Sequence, residues 1–318
     1  MSATDVVESN GGPHVEPRVV RVICGPTGAG KTRVALALAE HVALSVVSAD
    51  SRQLYRRFDV GTAKPTANER ARVPHLGIDV LDPTERASAA RWADLADGWI
   101  RKSLESERTP VVVGGTGLYL RALFGTLFDE PPLDVDRRSA LERQLSTMDT
   151  DELRRWVVAL DPARAALGRT QLLRAAEIAL LTGHRVSDLH RERARPPRWR
   201  ARYLVVDPGV ALAPQIETRT AGMFADGWRD EVRTLMRDVP EDAPAWNAAG
   251  YRAIRLLERG ELSHDNARTT VIIETRQYAK RQRTWFRHQL AEEQVTRLDP
   301  RLPDCERRAL AWWAECDG

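Results

Sequence analysis

Near its N-terminus the sequence reads Val19-Val20-Arg21-Val22-Ile23-Cys24-Gly25-Pro26-Thr27-Gly28-Ala29-Gly30-Lys31-Thr32. The last eight of these residues match the phosphate-loop pattern G-x-x-x-x-G-K-[ST] in full. A β-branched apolar run precedes the match, and after it Val34, Leu38 and Val42 recur on one face of a helix. A strand, a glycine loop and a helix in this order turn backbone N–H groups and a helix N-terminus towards one anion. The segment therefore predicts a diphosphate or triphosphate site.

Each residue of this loop has an expected part in holding phosphate. The glycines allow backbone conformations that side chains forbid. Lys31 adds a point charge, and the hydroxyl of Thr32 is the expected protein ligand of a Mg²⁺ cofactor that bridges two phosphates. The predicted phosphate-contacting residues are Gly25, Pro26, Thr27, Gly28, Ala29, Gly30, Lys31 and Thr32. The loop alone leaves open which phosphate compound binds and what reaction follows.

Composition limits the class of protein. The 318 residues suffice for one large domain with an insertion or for two domains, and 42% hydrophobic with 29% charged residues is typical of a soluble globular chain. No apolar run approaches the roughly 18 residues of a membrane helix. Residues 1–17 lack the apolar core of a signal peptide and read as a disordered tail. Three cysteines without metal-site spacing fit a reducing compartment, so we expect a cytoplasmic protein.

Two further strand ends carry polar residues. A strand predicted over Leu44 to Ala49 ends at Asp50, and a strand predicted over Pro110 to Val113 is followed by a glycine turn that contains Thr116. Because functional groups of parallel α/β sheets lie at the carboxyl ends of the strands, Asp50 and Thr116 are expected in one crevice with the phosphate loop. From pattern alone, Asp50 could be a general base or act only through magnesium, and the glycine turn could be only a tight turn.

The middle of the chain interrupts the α/β pattern. From about Leu133 to Trp199 the periodicity is helical and shows no strand, and a strand returns at Tyr203 to Val206, after which the rest reads as helical. We therefore predict an α/β fold, a P-loop NTPase-like parallel sheet core flanked by helices, with an all-helical insertion domain. The predicted domains are residues 18–132 and 200–318 for the catalytic core and 133–199 for the insertion.

Positive charge is unevenly distributed, although the formal net charge is only +3. Between Glu274 and His288 five arginines and lysines stand against one acid, with aromatic residues among them. This composition is typical of a surface that binds phosphates and stacks on bases. A solvated basic helix with an aromatic core face remains the alternative. Seven arginines between Arg185 and Arg202 make the end of the insertion basic as well.

The whole set of motifs resembles the tRNA dimethylallyltransferases, also called tRNA isopentenyltransferases. The matching segments occur in the family's order from about residue 20 to 290. They are Gly25-Pro26-Thr27 to Lys31-Thr32, Asp50-Ser51-x-Gln53-x-Tyr55, Gly61-Thr62-Ala63-Lys64-Pro65, Gly114-Gly115-Thr116-Gly117-Leu118-Tyr119, Gly250-Tyr251, and Thr275 to Gln282 with Thr284 to Arg287. The phosphate loop is shared with many unrelated proteins, whereas its combination with the last segment is specific to this family.

The resemblance implies an activity and partners. The family transfers a dimethylallyl group from dimethylallyl diphosphate to N6 of the adenosine immediately 3′ of the anticodon in tRNA, forming N6-(dimethylallyl)adenosine. The implied catalytic residues are Asp50, as general base, and Thr116, while Arg219 would reach the diphosphate. The insertion would be a mobile domain that closes on the anticodon stem-loop. We expect tRNA and dimethylallyl diphosphate as partners, no membrane, and a monomer.

The same resemblance implies a set of tRNA contacts. They are Asp50, Ser51, Arg52, Gln53, Thr116, Arg138, Gln171, Arg174, Asn247, Gly250, Tyr251, Arg252, Lys280, Arg281, Gln282, Arg283, Thr284, Trp285, Phe286 and Arg287. Gln171 stands where an arginine is frequent in the family, which bears on one contact and not on the reaction.

Two other classes of function were weighed. A P-loop kinase would use ATP on a nucleoside or small metabolite, but the basic, aromatic C-terminal segment argues against a small-metabolite enzyme. A nucleotide-dependent RNA-binding module without catalysis is disfavoured because Asp50 and Thr116 are expected at strand ends beside the loop.

Overall fold

The computed structural model describes residues 18–125, 127–128, 133–192, 194–195 and 197–315. The predicted disordered tail at 1–17 lies outside the described residues. The chain divides into two compact units, one formed by Met1–Leu120 with Arg198–Gly318 and the other by Arg121–Pro197. Among the described residues, every helix is too short or too polar to span a bilayer.

Strands and helices alternate in the first half of the chain, and helices dominate the second. The strands are β1 (Val19–Cys24), β2 (Leu44–Ala49), β3 (His75–Leu76), β4 (Thr109–Gly114), β5 (Leu127–Phe128), β6 (Ala194–Arg195), β7 (Arg200–Val206) and β8 (Val295–Leu298). The helices are α1 (Lys31–Ala39), α2 (Ala67–Arg72), α3 (Ala89–Glu105), α4 (Gly117–Phe124), α5 (Val135–Ser146), α6 (Thr150–Leu160), α7 (Arg169–Thr182), α8 (Val186–Glu192), α9 (Leu212–Ala225), α10 (Trp228–Asp238), α11 (Tyr251–Glu258), α12 (His264–Gln289) and α13 (Cys305–Ala314).

The first unit contains a six-stranded sheet in the order β3-β2-β4-β1-β7-β8, with every pairing parallel. The predicted parallel core is confirmed. All of β2 and nearly all of β4 are buried, as their β-branched runs indicate for strands covered on both faces. In this order β1 lies beside β4, and β4 lies beside β2. The loops that follow these three strands therefore meet at one edge of the sheet.

Strand β8 corrects the expectation that everything after β7 is helical. Its four residues pair with β7 in parallel, from Val295 opposite Tyr203 to Leu298 opposite Val206. It is a short strand at the edge of the sheet, and only Leu298 is fully buried. Four residues cannot establish a hydrophobic period, so pairing with β7 rather than local pattern determines this strand.

The second unit is built from α5 to α8 around its own core, which includes Leu145, Leu153, Val157 and Leu172. Strands β5 and β6 add a two-residue antiparallel pair, Leu127 opposite Arg195 and Phe128 opposite Ala194. The sequence predicts no strand between 133 and 199, and β6 is therefore a small departure. A pair this short has no periodicity of its own to detect.

Candidate active site

The phosphate loop connects β1 to α1 in a conformation that requires glycine. Gly25 has φ +145°, and a Cβ there would lie 2.1 Å from the carbonyl oxygen of Val206. Gly30 precedes α1 with φ +86°, in the left-handed region. Lys31 folds back over the loop, where its Nζ donates to the carbonyl oxygens of Gly25 at 3.1 Å and Pro26 at 2.8 Å. The ammonium group is thereby held at the mouth of the loop.

Two cations lie next to one carboxylate at this position. Burial lowers the pKa of Lys31 to about 8, with Asp50 acting in the opposite direction and Arg219 reinforcing the shift. Burial also lowers the pKa of Arg219, again opposed by Asp50. Burying the ammonium of Lys31 and the guanidinium of Arg219 costs free energy unless an anion lies beside them. A bound anion would stabilise the charged forms of both side chains.

Asp50 and Thr116 are brought together by the close approach of β2 and β4. A Cβ on Gly114 would lie 2.2 Å from the carbonyl oxygen of Ala49, so only glycine fits where these strands end. The Thr116 N–H then donates to that same oxygen at 3.1 Å. The Ser51 N–H donates to the Thr116 hydroxyl at 3.1 Å. The carboxylate-bearing turn and the glycine turn are thus one hydrogen-bonded structure.

Two cavities meet at this structure. A small cavity of about 150 Å³ is lined by the phosphate loop, including Lys31 and Thr32. A larger cavity of about 430 Å³ is lined by aromatic, aliphatic and polar residues. Thr27, Asp50 and Arg219 line both cavities. A phosphate-sized site and a larger site therefore share one carboxylate and one guanidinium.

The larger cavity has an aromatic interior and a polar rim. Its apolar lining includes Ile216, Met223, Trp228, Trp246 and Val271, and its polar lining includes Arg52, Asn247, Arg252, Glu274, Gln277 and Arg281. The apolar lining carries no signal in the sequence, because aromatic and aliphatic residues at helical spacing are equally typical of a protein core.

Tyr278 also lines the larger cavity, close to Asp50. Burial raises the pKa of its phenol to about 12, with the charge of Asp50 adding to the shift and the nearby Thr116 hydroxyl opposing it. The phenol therefore stays protonated at neutral pH and can donate a hydrogen bond beside the carboxylate. This tyrosine belongs to the family motif, but its place beside Asp50 cannot be read from the motif alone.

Glu231 on α10 is a site residue that the sequence did not reveal. Its carboxylate accepts the N–H groups of Asp59 at 2.8 Å and Val60 at 2.6 Å, and the Tyr251 hydroxyl donates to it at 2.6 Å. The loop it holds contributes Gly61 to the larger cavity. One glutamate on an amphipathic helix carries no sequence signal for such a role.

The predicted tRNA contacts on α12 separate into two groups. Lys280, Arg281, Thr284 and Arg287 are exposed. Trp285 is half-buried and lies against the glycine turn, where a Cβ on Gly117 would come within 2.2 Å of its ring. These positions remain predicted tRNA contacts.

The other three predicted α12 positions make contacts within the protein. Gln282 and Phe286, one helical turn apart, are only 7% and 2% exposed. Arg283 donates through Nε to Asp207 at 2.9 Å and through Nη2 to the Gly209 carbonyl oxygen. The side chains of Gln282, Arg283 and Phe286 thus pack or hydrogen-bond within the fold, and their predicted contacts with tRNA stay predictions.

The Asn247 to Arg252 segment divides in the same way. Asn247 and Arg252 are exposed at the rim of the larger cavity. Gly250 is buried with φ +86°, and Tyr251 is fully buried with its hydroxyl on Glu231. Gly250 and Tyr251 thus support the wall of the cavity, and their predicted contact with tRNA stays a prediction.

Gln53 lies with the phosphate-loop residues in the small cavity. Its Oε1 accepts the Ser48 hydroxyl at 3.1 Å, and its Nε2 donates to the Ala63 carbonyl oxygen at 3.1 Å. Gln53 therefore connects β2 to the loop before α2. Its predicted contact with tRNA stays a prediction.

In the second unit, Arg138 and Arg174 both approach Glu177, whose side chain is only 6% exposed. The Arg174 pair is the closer, at 2.7 Å, and the Arg138 pair is 3.5 Å apart. Gln171 accepts the Gly168 N–H at 3.1 Å, which caps α7. The three predicted tRNA contacts of this unit thus lie on or beside one helix.

Comparison with known proteins identifies the family to which this chain belongs. A sequence model described as IPP transferase matches residues 53–289, well over half of the chain. The chain belongs to the IPP transferase family. A second model, described as isopentenyl transferase, matches residues 18–76, which include the phosphate loop.

Individual relatives agree with this assignment. A tRNA dimethylallyltransferase of Anaeromyxobacter sp. (strain K) is 42% identical over 272 residues, covering 84% of this chain and 89% of the relative. One from Thermus thermophilus is 41% identical and covers 85% and 90%. Among solved structures, the full-length tRNA isopentenylpyrophosphate transferase of Bacillus halodurans has a TM-score of 0.65 and 33% identity, and covers 93% of this chain and 94% of its own.

Proposed function

We propose that this chain transfers a dimethylallyl group from dimethylallyl diphosphate to N6 of the adenosine 3′-adjacent to the anticodon of a tRNA. The observation that carries the proposal is the sharing of Thr27, Asp50 and Arg219 by the small and the larger cavity. A diphosphate ester in the small cavity and a base in the larger one would meet at Asp50. The relatives named tRNA dimethylallyltransferase support the choice of substrates.

The small cavity suits the leaving group. As the allylic C–O bond breaks, its electron pair goes to the diphosphate, and negative charge grows there. Lys31, Arg219 and the loop N–H groups are fixed donors at that position, so they stabilise the developing charge. The allylic carbon can carry positive charge, which allows a weak nucleophile to react.

The larger cavity suits the acceptor base. Its volume of about 430 Å³ and its two tryptophans, Trp228 and Trp246, fit a planar aromatic ring. The adenine must leave its stack to enter, at a cost of a few kcal/mol that is least in an unpaired loop. The N6 lone pair forms the new C–N bond, and Asp50 accepts the proton that N6 releases.

A magnesium ion would fit the small cavity with the diphosphate. Within the described ranges, His, Cys, Asp and Glu side chains form no cluster of three or more that would hold a metal on their own. The Thr32 hydroxyl lines this cavity and would offer an oxygen ligand of the kind that Mg²⁺ prefers, beside the oxygens of the diphosphate. When bound, the ion would neutralise charge on the diphosphate.

In the first unit, we propose that tRNA is bound by the exposed cations of α12 together with Asn247 and Arg252 at the rim of the larger cavity. We further propose that residues 133–199 act as a separate domain that contacts the anticodon stem-loop, through Arg138 and Arg174 among others. The protein would act as a cytoplasmic monomer.

One assay tests the function against its alternatives. The wild-type protein is incubated with unmodified tRNA and Mg²⁺, once with dimethylallyl diphosphate labelled in the prenyl group and once with ATP labelled in the γ-phosphate. We expect prenyl label in the tRNA with release of one diphosphate for each transfer. Transfer of the ATP label would identify a kinase. Binding of tRNA without movement of either label would identify a binding module.

A further inference from the structure

The family resemblance implies that Gln282 contacts tRNA. This residue lies on α12 with only 7% of its surface exposed. Its Oε1 accepts the Thr27 N–H of the phosphate loop at 2.8 Å, and its Nε2 donates to the Gly115 carbonyl oxygen of the glycine turn at 2.8 Å. A Cβ on Gly115 would lie 2.3 Å from that Nε2, so a side chain there would displace the amide. One amide thus connects three elements.

Both residues that Gln282 holds are next to the reacting groups. Thr27 lines the small and the larger cavity. Gly115 immediately precedes Thr116, whose hydroxyl receives the Ser51 N–H beside Asp50. A shift of either loop would change the distance between the diphosphate site and the carboxylate.

The chemistry of the contact selects glutamine. One end of the side chain meets an N–H donor and the other meets a carbonyl acceptor, so the side chain must accept and donate at the same time. A carboxylate accepts only, and an aliphatic side chain of similar size does neither. An unmatched buried group at either end would cost free energy and loosen the loop it belongs to.

We propose that Gln282 is a positioning residue for prenyl transfer, which fixes the phosphate loop and the Thr116 turn relative to each other from α12. This inference rests on the proposed function. It assigns Gln282 to the geometry of the reaction and not to contact with tRNA, so the two assignments predict different kinetic defects.

The first test is Gln282→Leu, with Gln294→Leu as the matched control because Gln294 is an exposed glutamine outside the site. We expect Gln282→Leu to lower kcat about 10- to 100-fold, since misplacing reacting groups by about 1 Å has effects of this size. Its Kd for tRNA should stay within about twofold of wild type. Gln294→Leu should match wild type in both.

The second test is the pH profile of Gln282→Glu. When protonated, the glutamic acid accepts through its carbonyl oxygen and donates through its O–H, as the amide does. Burial and the Gly115 carbonyl oxygen disfavour the charged form and raise its pKa. The ratio of variant to wild-type kcat should therefore rise as the pH falls from about 8 to about 6. Lys31, Asp50 and Arg283, the charged groups of the adjoining elements, are present in both enzymes, so the ratio removes their titration.

Binding of inorganic diphosphate with Mg²⁺, measured by calorimetry, separates this inference from the proposed function. Gln282→Leu should weaken that binding about 5- to 30-fold. If this is observed while the wild type transfers no prenyl group, the proposed function is contradicted and the positioning role of Gln282 is not. An active wild type with a fully active Gln282→Leu would overturn the inference, as would a variant whose main defect is tRNA affinity. If Gln282→Leu does not fold, a pH-independent Gln282→Glu ratio would overturn it.

Discussion

Lys31 and Arg219 together carry more positive charge than the neighbouring Asp50 can balance. Burial keeps the pKa of Lys31 at about 8, well below its ordinary value. A bound diphosphate favours the charged ammonium, so binding above pH 8 must be accompanied by proton uptake at Lys31. Affinity for the anion is then linked to pH through this one side chain.

The affinity for Mg²⁺-diphosphate should therefore fall as the pH rises above about 8, by up to about tenfold per pH unit. Calorimetry between about pH 7 and about pH 9.5 measures it, with Lys31→Met as the control for the ionisation of diphosphate itself. The ratio of wild-type to variant affinity should decline towards one. A ratio that stays constant to the highest pH would show that Lys31 does not titrate in this range.

The neighbourhood of Asp50 and Thr116 could be predicted from the sequence, whereas the roles of Gln282, Tyr251 and Phe286 could not. Strand ends of a parallel sheet meet at one edge, so two short apolar runs were enough to place the first pair. A sequence motif on a helix gives the residue types, but it does not show which face of the helix packs against the rest of the protein. In α12 that face depends on the tertiary contacts of Gln282 with two loops, and these are not local in sequence.

At the scale of elements, the loop between β2 and α2 contains a buried, charged side chain. Lys64 is buried within it, with 2% of its side chain exposed. Its Nζ donates to the Tyr55 carbonyl oxygen at 2.6 Å and also contacts the carboxylates of Asp59 and Asp79. Ala63, which lines the small cavity, precedes it with φ +45°. This buried cation holds the loop in its conformation.

Replacing Lys64 with Met should destabilise the protein by about 1–3 kcal/mol, because a buried carbonyl oxygen and two carboxylates lose a donor. The full cost of breaking a buried ion pair is not expected, since Asp59 is 58% exposed and solvent screens it. Urea unfolding measures the difference, and Lys102→Met, at an exposed position on α3, is the control. Equal stability of the two variants would contradict the role given to Lys64.

Most strands of the sheet could be predicted from the sequence, and their order could not. β1, β2, β4 and β7 are buried β-branched runs, while β8 is a four-residue edge strand without a period of its own. Parallel pairing joins residues far apart in sequence, such as Tyr203 and Val295. Periodicity is a local signal and contains no information about such partners.

Over the whole molecule, the formal net charge is only +3, but positive charge is concentrated on the surface of α12. Lys280, Arg281 and Arg287 are exposed on α12. Arg283 is instead paired with Asp207, so it has less charge to offer an RNA phosphate. The number of phosphates that α12 neutralises should therefore be smaller than its count of cations.

Binding of tRNA should weaken steeply with salt, because contacts with phosphates release counterions. In Lys280→Gln with Arg287→Gln, the slope of log Kd against log salt should flatten by about 1.4–1.8, the sum of two phosphate contacts. Arg283→Gln, the matched control on the same helix, should leave the slope unchanged. Filter binding over a salt series measures all three proteins. An equal flattening in Arg283→Gln would show that Arg283 also neutralises an RNA phosphate.

The two cavities become one active site only if Asp50 acts on the acceptor in one while the diphosphate occupies the other. Asparagine keeps the size of Asp50 and can still hydrogen-bond an amine, but it cannot accept a proton. Asp50→Asn should therefore retain both substrates while losing transfer. If Asp50 served mainly as a magnesium ligand, excess metal would compensate for part of its loss.

The decisive measurement is the transfer rate of Asp50→Asn with tRNA and dimethylallyl diphosphate across a magnesium titration, together with the Kd for each substrate. We predict a loss of about 100- to 10,000-fold in kcat, both Kd values within about twofold of wild type, and no recovery at high magnesium. Recovery of most of the activity at millimolar magnesium would contradict the assignment of Asp50 as the base.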